Sequence, residues 1–340
     1  MSMEASSDDL PTTSRGSETV PSASQVKSRR KQQKRIQRNI IWLLHLVPDE
    51  KAAAQFLRDK GLLHSERLCP SCGHAMCLGR GSLAWRCHRR TCRKELSVRT
   101  GTWFDIPRER IKLQKAVQVL YHWSRGYTTM KFCEVELGLC NSTAVRWCRY
   151  LRQLTADALA EAPVQLGGPG MTVELDESLF SRSKYNRGRR YPGQWLFAGV
   201  CRNTGLAHVE TVENRSSDAL LPVIESHVRP ASAVMTDEWR AYRCLGRKGY
   251  QHSRVNHSQN FVDPDTGAHT QTVESLWAQL KSGNKRRRGT QRSALPLHIS
   301  EFMWRRLLGA ADAFDGIIDV IRRLHPPKVD NLPAPLALPQ

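Results

Sequence analysis

The sequence lacks any apolar run approaching the roughly 20 residues that a membrane-spanning helix needs. Its longest apolar stretch, over residues 40–47, is interrupted by His45. The first residues contain no hydrophobic signal core, so we expect neither a membrane protein nor a secreted one. In a chain that is not secreted, the ten cysteines are expected to be thiols or metal ligands rather than disulfides.

Acidic residues are scarce relative to basic ones. The 340-residue chain has 52 Lys and Arg but only 32 Asp and Glu, which gives a formal net charge of +20. This excess favours a polyanionic partner, nucleic acid ahead of an anionic membrane surface. Because 40% of the residues are hydrophobic, the chain is not disordered as a whole, and its length predicts two or three domains.

The first part of the chain, residues 1–38, is predicted to be a disordered basic tail. Residues 1–26 are rich in Ser, Thr and Pro and have almost no apolar content. Residues 27–38 hold seven basic residues and no acid, which suits a nuclear import signal, a DNA-contacting arm or a solvated helix start. Over residues 39–66 the apolar spacing then predicts two short helices that are separated at Pro48.

Two close pairs of cysteines lie within residues 67–104, and they are Cys69, Cys72, Cys87 and Cys92. A CxxC turn presents two thiolates to one ion, so two such pairs around a hairpin-sized segment predict a zinc ribbon with a structural Zn²⁺. The second pair has a wider spacing, which leaves three substitute ligands to consider, namely His74, Cys77 and His88. The alternative is a set of buried free thiols.

Residues 105–165 have the pattern of three helices. The first ends at Gly126, the second covers about residues 130–137, and the third starts at Asn141 or Ser142, which are good N-cap residues. This arrangement is typical of a helix-turn-helix DNA-binding region, although an ordinary helical hairpin has the same pattern. In a recognition helix, three exposed residues near the start would contact DNA, namely Ser142, Thr143 and Arg146.

From residue 171 the pattern changes from helical to mixed α/β. It predicts strands over 171–176, 195–201, 206–212 and 233–237, and helices over 217–227, 238–248 and 270–281. Three strands in meander order, then a helix, a strand and further helices, is the element order of an RNase H-like domain, which we assign to residues 171–310. We therefore expect a mixed sheet with flanking helices as the catalytic core.

Three carboxylates stand near the ends of these elements. Asp176 and Asp237 lie on strands, and Glu274 lies on the last predicted helix. Phosphodiester cleavage uses two divalent ions about 4 Å apart, and three acids at one sheet edge suit Mg²⁺. Each acid taken alone is better explained as a surface residue or a helix cap. Their chain order within one architecture favours a catalytic set.

Several stretches of the sequence match a known family. They are VELDES (173–178), VMTDEWRAY (234–242), the block ending VESLWAQLK (249–281) and EFMWRR (301–306), preceded by KAAAQFLRDKGLL, CPSCG, WRC and SVRTGTWF (51–104). Over residues 40–306 the chain thus resembles the ISXO2-like DDE transposases, whose eukaryotic relatives are the Merlin DNA transposons. The block ending VESLW is the most specific of these matches.

The resemblance implies a DDE recombinase that cuts transposon ends and joins them to target DNA. Asp176, Asp237 and Glu274 fall on the family's catalytic acids, which would hold two Mg²⁺, with Mn²⁺ as a substitute. Asn256 and His257 would either orient the DNA strand or an acid, or pack in the core.

The partners implied are the terminal inverted repeats and the target DNA, with no membrane. Four basic residues after the last acid would contact phosphates, namely Lys281, Arg286, Arg287 and Arg288. Because two transposon ends must be cut, we expect a homodimer or a larger oligomer on DNA. We expect a nuclear protein if the host is eukaryotic and a cytoplasmic one otherwise, and a flexible Pro-rich tail over residues 325–340.

Two other functions fit the same residues. A domesticated transposase would use the ribbon and the helix-turn-helix as a DNA-binding regulator without strand transfer. An RNase H-like nuclease would nick DNA without joining it.

Overall fold

A computed structural model of the protein describes residues 38–106, 110–180, 193–255 and 269–328. No helix in these ranges has both the length and the apolar character needed to cross a membrane. All ten cysteines lie in these ranges and are free thiols.

The structure begins with the two predicted short helices, α1 (Ile40–Leu46) and α2 (Glu50–Asp59). Each has a side-chain cap, because Asn39 accepts a hydrogen bond from the Trp42 amide and Asp49 accepts one from the Ala52 amide. The prediction of a break at Pro48 is confirmed.

A small antiparallel sheet follows. Its strands pair in chain order and are β1 (Met76–Leu78), β2 (Ala84–Cys87) and β3 (Glu95–Ser97). Trp85 on β2 is buried and joins the core of the neighbouring helices.

Three helices come next, as predicted: α3 (Leu113–Ser124), α4 (Met130–Val135) and α5 (Asn141–Glu161). The turn after α3 needs a left-handed residue, which Gly126 supplies at φ +74°. The predicted start of α5 at Asn141 is confirmed, but the N-cap expected at Asn141 or Ser142 is wrong. Cys140 is the N-cap and makes no side-chain capping bond, while Asn141 is already the first helical residue.

A five-stranded mixed sheet forms the second part of the protein. Its strands are β4 (Thr172–Leu179), β5 (Trp195–Cys201), β6 (Ala207–Val212), β7 (Ala233–Asp237) and β8 (Gln251–Val255). The order across the sheet is β6-β5-β4-β7-β8. The pairs among β4, β5 and β6 are antiparallel, whereas β7 pairs in parallel with both β4 and β8. This central parallel step matches the element order predicted for an RNase H-like domain.

Helices cover both faces of this sheet. They are α6 (Ser217–His227), α7 (Gln271–Arg286) and α8 (Leu295–Leu308), and α9 (Ala313–Leu324) follows them. Val173 and Leu175 on β4 pack in the core that contains α6. The opposite face of the sheet packs against α7 and α8. Alternate residues of β4 therefore face different helices.

Two predicted elements differ from the structure. The helix expected over residues 238–248 is replaced by two short 3₁₀ turns, Arg240–Tyr242 and Leu245–Lys248. The second turn ends at Gly249, which has φ +86°. Strand β8 was not predicted, because Val255 is its only apolar residue and an edge strand does not need the usual alternation.

The last helix, α9, returns to the N-terminal helices. Phe314, Ile317 and Ile321 are buried in the same core as residues of α2, α3 and α5. Arg305 on α8 also donates to the backbone carbonyls of Trp123 and Ser124 at the end of α3. The C-terminal end of the chain thus completes the helical part.

Candidate active site

One face of strand β4 carries three polar side chains at alternate positions, and each of them bonds to helix α7. The helix contributes residues spaced four apart, which lie on one of its sides. The three bonds are Val273 N to Glu174 Oε2 (2.9 Å), Trp277 Nε1 to Asp176 Oδ2 (2.8 Å) and Lys281 Nζ to Ser178 Oγ (2.7 Å). We call this set the β4–α7 ladder, and it holds the helix alongside the strand.

Glu174 anchors the start of α7. Its side chain is fully buried, and its carboxylate accepts a bond from Arg202 Nε at 2.5 Å as well as the bond from the Val273 amide. A carboxylate on free backbone amides of a helix N-terminus is favoured by the helix dipole. The sequence analysis did not assign this role, and the only signal for it is an acid two residues before Asp176 on the same strand face.

Asp176 is partly buried beside α7 and bonds to the indole of Trp277. Burial, followed by the negative charges of Glu177 and Asp237, raises the pKa of Asp176 to about 7, although the indole bond lowers it. A carboxylate with this environment favours either a proton or a cation. The site therefore has the electrostatic character of a cation-binding site.

Asp237 is the last residue of β7, next to β4 in the sheet. The parallel register pairs Glu174 with Met235, so two residues further along Asp176 is level with Asp237. Level residues of adjacent parallel strands point to the same face. The Asp237 carboxylate also accepts a bond from the Trp239 amide at 2.9 Å.

Glu274 lies in the first turn of α7 and is exposed. It precedes Trp277 by three residues, and the β4–α7 ladder holds this turn beside the strand of Asp176. Within the described residues, the three predicted acids are not among the clusters whose ligand atoms all lie within 4.8 Å of one another. The arrangement therefore does not form one compact site for a single ion.

Behind the acids lies a second network that the sequence analysis missed. Glu177, on the opposite face of β4, has a fully buried side chain that is paired with Arg215 at 2.5 Å and hydrogen-bonded by the Tyr242 hydroxyl. The Arg215 guanidinium lies 4.0 Å from the Trp239 ring centroid and 3.9 Å from Asp237 Oδ2. Arg215 thus links the buried Glu177 to the predicted acid Asp237. The DES triplet hints at an acidic pair, but nothing local identifies Arg215 as its partner.

The predicted DNA-contacting residues lie on two helices. Ser142 and Arg146 are exposed in the first turns of α5, and Thr143 is half-buried there. Lys281 is half-buried in the β4–α7 ladder, where its ammonium also lies 5.9 Å from the Trp277 ring centroid. Three arginines are exposed at the end of α7, namely Arg286, Arg287 and Arg288. The predicted residues Asn256 and His257 lie outside the described residues.

The four predicted zinc ligands come together at one end of the small sheet. Their sulfur atoms all lie within 4.8 Å of one another, with Cys69 to Cys92 at 3.6 Å and Cys72 to Cys87 at 3.5 Å. These distances are too long for disulfides and close to the roughly 3.8 Å edge of a tetrahedron of thiolates around Zn²⁺. The substitute ligands His74, Cys77 and His88 are not in the cluster, and Cys77 and His88 are exposed.

The electrostatics of this cluster also suit a cation. A bond from the His74 backbone amide lowers the pKa of Cys72 to about 7. The Arg89 amide favours the Cys87 thiolate in the same way, but burial and the neighbouring thiols outweigh it and raise the pKa of Cys87 to about 12. One thiol of the cluster ionises readily, whereas ionisation of further thiols needs a positive charge nearby. A bound Zn²⁺ would supply that charge.

Comparison with known proteins identifies a matching family, a relative and a structural neighbour. Residues 165–306 match the family described as ISXO2-like transposase domain. A protein of Haemophilus influenzae described as an uncharacterized transposase-like protein is 31% identical over 94 residues, which cover 28% of this chain and 75% of the relative. A crystal structure of the catalytic core domain of BIV integrase aligns with 13% identity and a TM-score of 0.26, over 38% of this chain and 79% of that chain.

Proposed function

Since this chain belongs to the ISXO2-like transposase family, we propose that it is a DNA transposase whose catalytic acids are Asp176, Asp237 and Glu274. The observation that carries the proposal is the β4–α7 ladder together with the parallel β4–β7 register. These features put the strands of Asp176 and Asp237 side by side and hold the first turn of α7, with Glu274, next to them.

The reaction we propose has two steps. Hydrolysis of a phosphodiester at the transposon end leaves a 3′-hydroxyl on the element. That hydroxyl then attacks a phosphodiester of the target DNA, and the 3′-oxygen of the cut target strand leaves. Two divalent ions, Mg²⁺ or Mn²⁺, would supply activation of the attacking oxygen and stabilisation of the leaving oxygen.

The residues of this chain prepare the site for that chemistry. Asp176 and Asp237 would hold the ions, with Glu274 as a further ligand, since hard divalent cations prefer carboxylate oxygens. Trp277 fixes the Asp176 carboxylate through its indole bond. Arg215 offsets the buried charge of Glu177 and, at 3.9 Å from Asp237 Oδ2, part of the charge of that aspartate. Asn256 and His257 are proposed to orient an acid or the DNA strand.

Recognition of DNA is proposed to use the N-terminal part. Cys69, Cys72, Cys87 and Cys92 would hold one structural Zn²⁺, since four thiolates leave no open position for a substrate. The start of α5, with Ser142, Thr143 and Arg146, would contact the terminal inverted repeats.

The basic end of α7 adds phosphate contacts through Lys281, Arg286, Arg287 and Arg288. A dimer or larger oligomer is proposed because two ends must be cut. Nuclear localisation is proposed for a eukaryotic host, and a cytoplasmic location otherwise.

A strand-transfer assay tests the proposal. Full-length protein is incubated with labelled terminal-repeat DNA, a target plasmid and Mg²⁺, and joined products are expected. Binding without cleavage would instead favour a domesticated DNA-binding regulator. Nicking without joining would favour an RNase H-like nuclease, and cleavage that needs no divalent ion would contradict the proposed chemistry.

A further inference from the structure

A second cluster of metal-ligating side chains lies away from the predicted acids. His208 and Glu210 occupy alternate positions of the edge strand β6, and His227 is the last residue of α6. One ligand atom from each lies within 4.8 Å of the other two. Among the described residues, only the four-cysteine cluster shares this property.

The cluster faces the opposite side of the sheet from Asp176. Neighbours of His208 and Glu210 at alternate positions, Leu206 and Val212, pack in the core that contains α6. Asp176 instead bonds to Trp277 of α7, which covers the other face. The sheet therefore separates the two groups of residues, and the histidine cluster is not part of the proposed active site.

His227 is oriented as a metal-binding histidine is. Its Nδ1 lies 3.2 Å from the carbonyl oxygen of Val164, to which a protonated Nδ1 donates. That bond selects the tautomer whose Nε2 carries a lone pair. Ligating histidines use their second ring nitrogen in this way, most often on a carboxylate or a backbone carbonyl.

His208 has a buried nitrogen that needs a partner. Its Nε2 makes no hydrogen bond to any of the described residues, and its distance of 3.7 Å to Glu210 Oε2 is too long for one. A buried polar atom without a hydrogen bond is costly, and an ion at that position would remove the cost.

The three side chains offer two imidazoles and one carboxylate, and neutral imidazoles and ionised carboxylates are the forms that bind metal.

We propose that His208, Glu210 and His227 form a second metal site that takes a divalent transition metal such as Zn²⁺. Two imidazoles and one carboxylate are a ligand set that favours Zn²⁺ over Mg²⁺, which prefers oxygen ligands. The two rings stack with centroids 3.5 Å apart and an interplanar angle of 16°. Binding of one ion by both rings therefore requires one ring to turn, and His208 loses no hydrogen bond by turning.

The position of the site suggests a structural role. Gln165 donates to the carbonyl of Ser226 at 2.6 Å, and Leu166 forms a β-bridge with Val228, so the segment after α5 runs beside the end of α6. A metal on His227 would tie this connection to the edge strand β6. It would thus stiffen the link between the helical part of the protein and the mixed sheet.

Metal stoichiometry tests the proposal on the full-length protein. Purified protein is dialysed against micromolar Zn²⁺ with excess Mg²⁺ and then analysed for bound zinc. We expect about two equivalents in the wild type and about one in His227→Gln, in which the four-cysteine cluster is unchanged. Glu210→Gln keeps the shape of the strand and should weaken binding of the second equivalent at least 10-fold, since loss of even an outer-shell partner of a ligand costs about 10–100-fold.

Two control variants locate the second zinc. His45→Gln removes an exposed histidine on α1 and should retain both equivalents. Asp176→Asn should also retain both, which shows that the second zinc is not held by the predicted catalytic acids. One equivalent in the wild type would overturn the proposal. So would two equivalents in a double variant His208→Gln and His227→Gln.

Discussion

The indole nitrogen of Trp277 donates to Asp176 Oδ2 over 2.8 Å, and this bond joins the helix of one predicted acid to the strand of another. Glu274 is one turn before Trp277, so any shift of α7 along β4 would move Glu274 relative to Asp176. Two further bonds hold the same helix before and after Trp277. The Val273 amide donates to Glu174, and the Lys281 ammonium donates to Ser178. The spacing of the predicted acids therefore depends on Glu174, Trp277 and Lys281 as well as on the acids themselves.

Neutralising either strand acid should abolish cleavage. Asp176→Asn and Asp237→Asn each remove a carboxylate that is proposed to hold a divalent ion, and neither variant changes the N-terminal part that is proposed to bind DNA. We expect no cleaved product with terminal-repeat DNA and unchanged affinity in a gel-shift assay. Asp218→Asn, which changes a carboxylate in the first turn of α6, is the matched control. Normal cleavage by either test variant would refute the assignment.

The raised pKa of Asp176 predicts how stability depends on pH. A carboxyl whose pKa rises from 3.8 to about 7 in the folded state binds its proton more tightly there than in the unfolded chain. This contribution to stability is present below about pH 4 and is lost as the pH rises through 7. In Mg²⁺-free buffer, Asp176→Asn should therefore be more stable than the wild type at pH 8, by about 1–2 kcal/mol.

The thermal unfolding of both proteins between pH 5 and 8 checks this expectation. The advantage of the variant should shrink as the pH falls, because the wild-type carboxyl becomes protonated. A constant difference across the range would show that the Asp176 carboxyl does not titrate there.

Glu174 should be needed for both stability and activity. Glu174→Ala leaves Arg202 without its buried partner and the start of α7 without its cap, for which we expect a loss of about 3–5 kcal/mol. Glu174→Gln keeps an acceptor and should lose less. Chemical denaturation measures the free energy of unfolding, with Glu134→Gln, an exposed acid on α4, as the control. Equal stability of Glu174→Ala and the control would contradict the proposed anchoring role.

Zinc at the ribbon should depend on the clustered cysteines alone. Cys69→Ser is expected to lose that metal and to unfold the small sheet, because metal binding supplies folding free energy on the order of 10 kcal/mol. Cys77→Ser changes an exposed cysteine in the same sheet and should keep the metal. Metal analysis and circular dichroism measure the two effects. A folded Cys69→Ser protein with a full metal content would exclude this site.

DNA affinity should depend steeply on salt. If about eight basic side chains meet phosphates, the logarithm of the binding constant should fall against the logarithm of the salt concentration with a slope near −7. Arg286→Ala should reduce the magnitude of this slope by about 1, whereas Ser142→Ala should leave the slope unchanged and alter sequence preference. Fluorescence anisotropy over a salt series measures both. An unchanged slope for Arg286→Ala would remove that residue from the phosphate contacts.

Local patterns predicted much of the fold. The alternation of Val173 and Leu175 identified β4, and the apolar spacing over residues 130–154 identified α4 and α5. Where the apolar pattern is weak or ambiguous, the secondary-structure prediction missed or misassigned elements. Strand β8 owes its place to pairing with β7 rather than to its own residues, and the 3₁₀ turns before it share the apolar spacing of a helix.

The candidate site was predicted less fully than the fold. Sequence alone can propose Asp176 and Asp237, but their adjacency depends on the parallel pairing of two strands that are far apart in the chain. The roles of Glu174 and Arg215 depend on long-range contacts, for which a single sequence carries no local signal. The four clustered cysteines were easier to predict, because close spacing in the chain already requires closeness in space.

The return of α9 to the first helices has a consequence for how the protein is made. The ribosome synthesises Leu43 long before Ile321, yet both residues belong to one hydrophobic core. The helical half cannot finish folding until the mixed sheet has also been synthesised. We therefore expect that a message truncated before α9 yields no stable helical fragment, so that such a product does not accumulate beside the full-length protein.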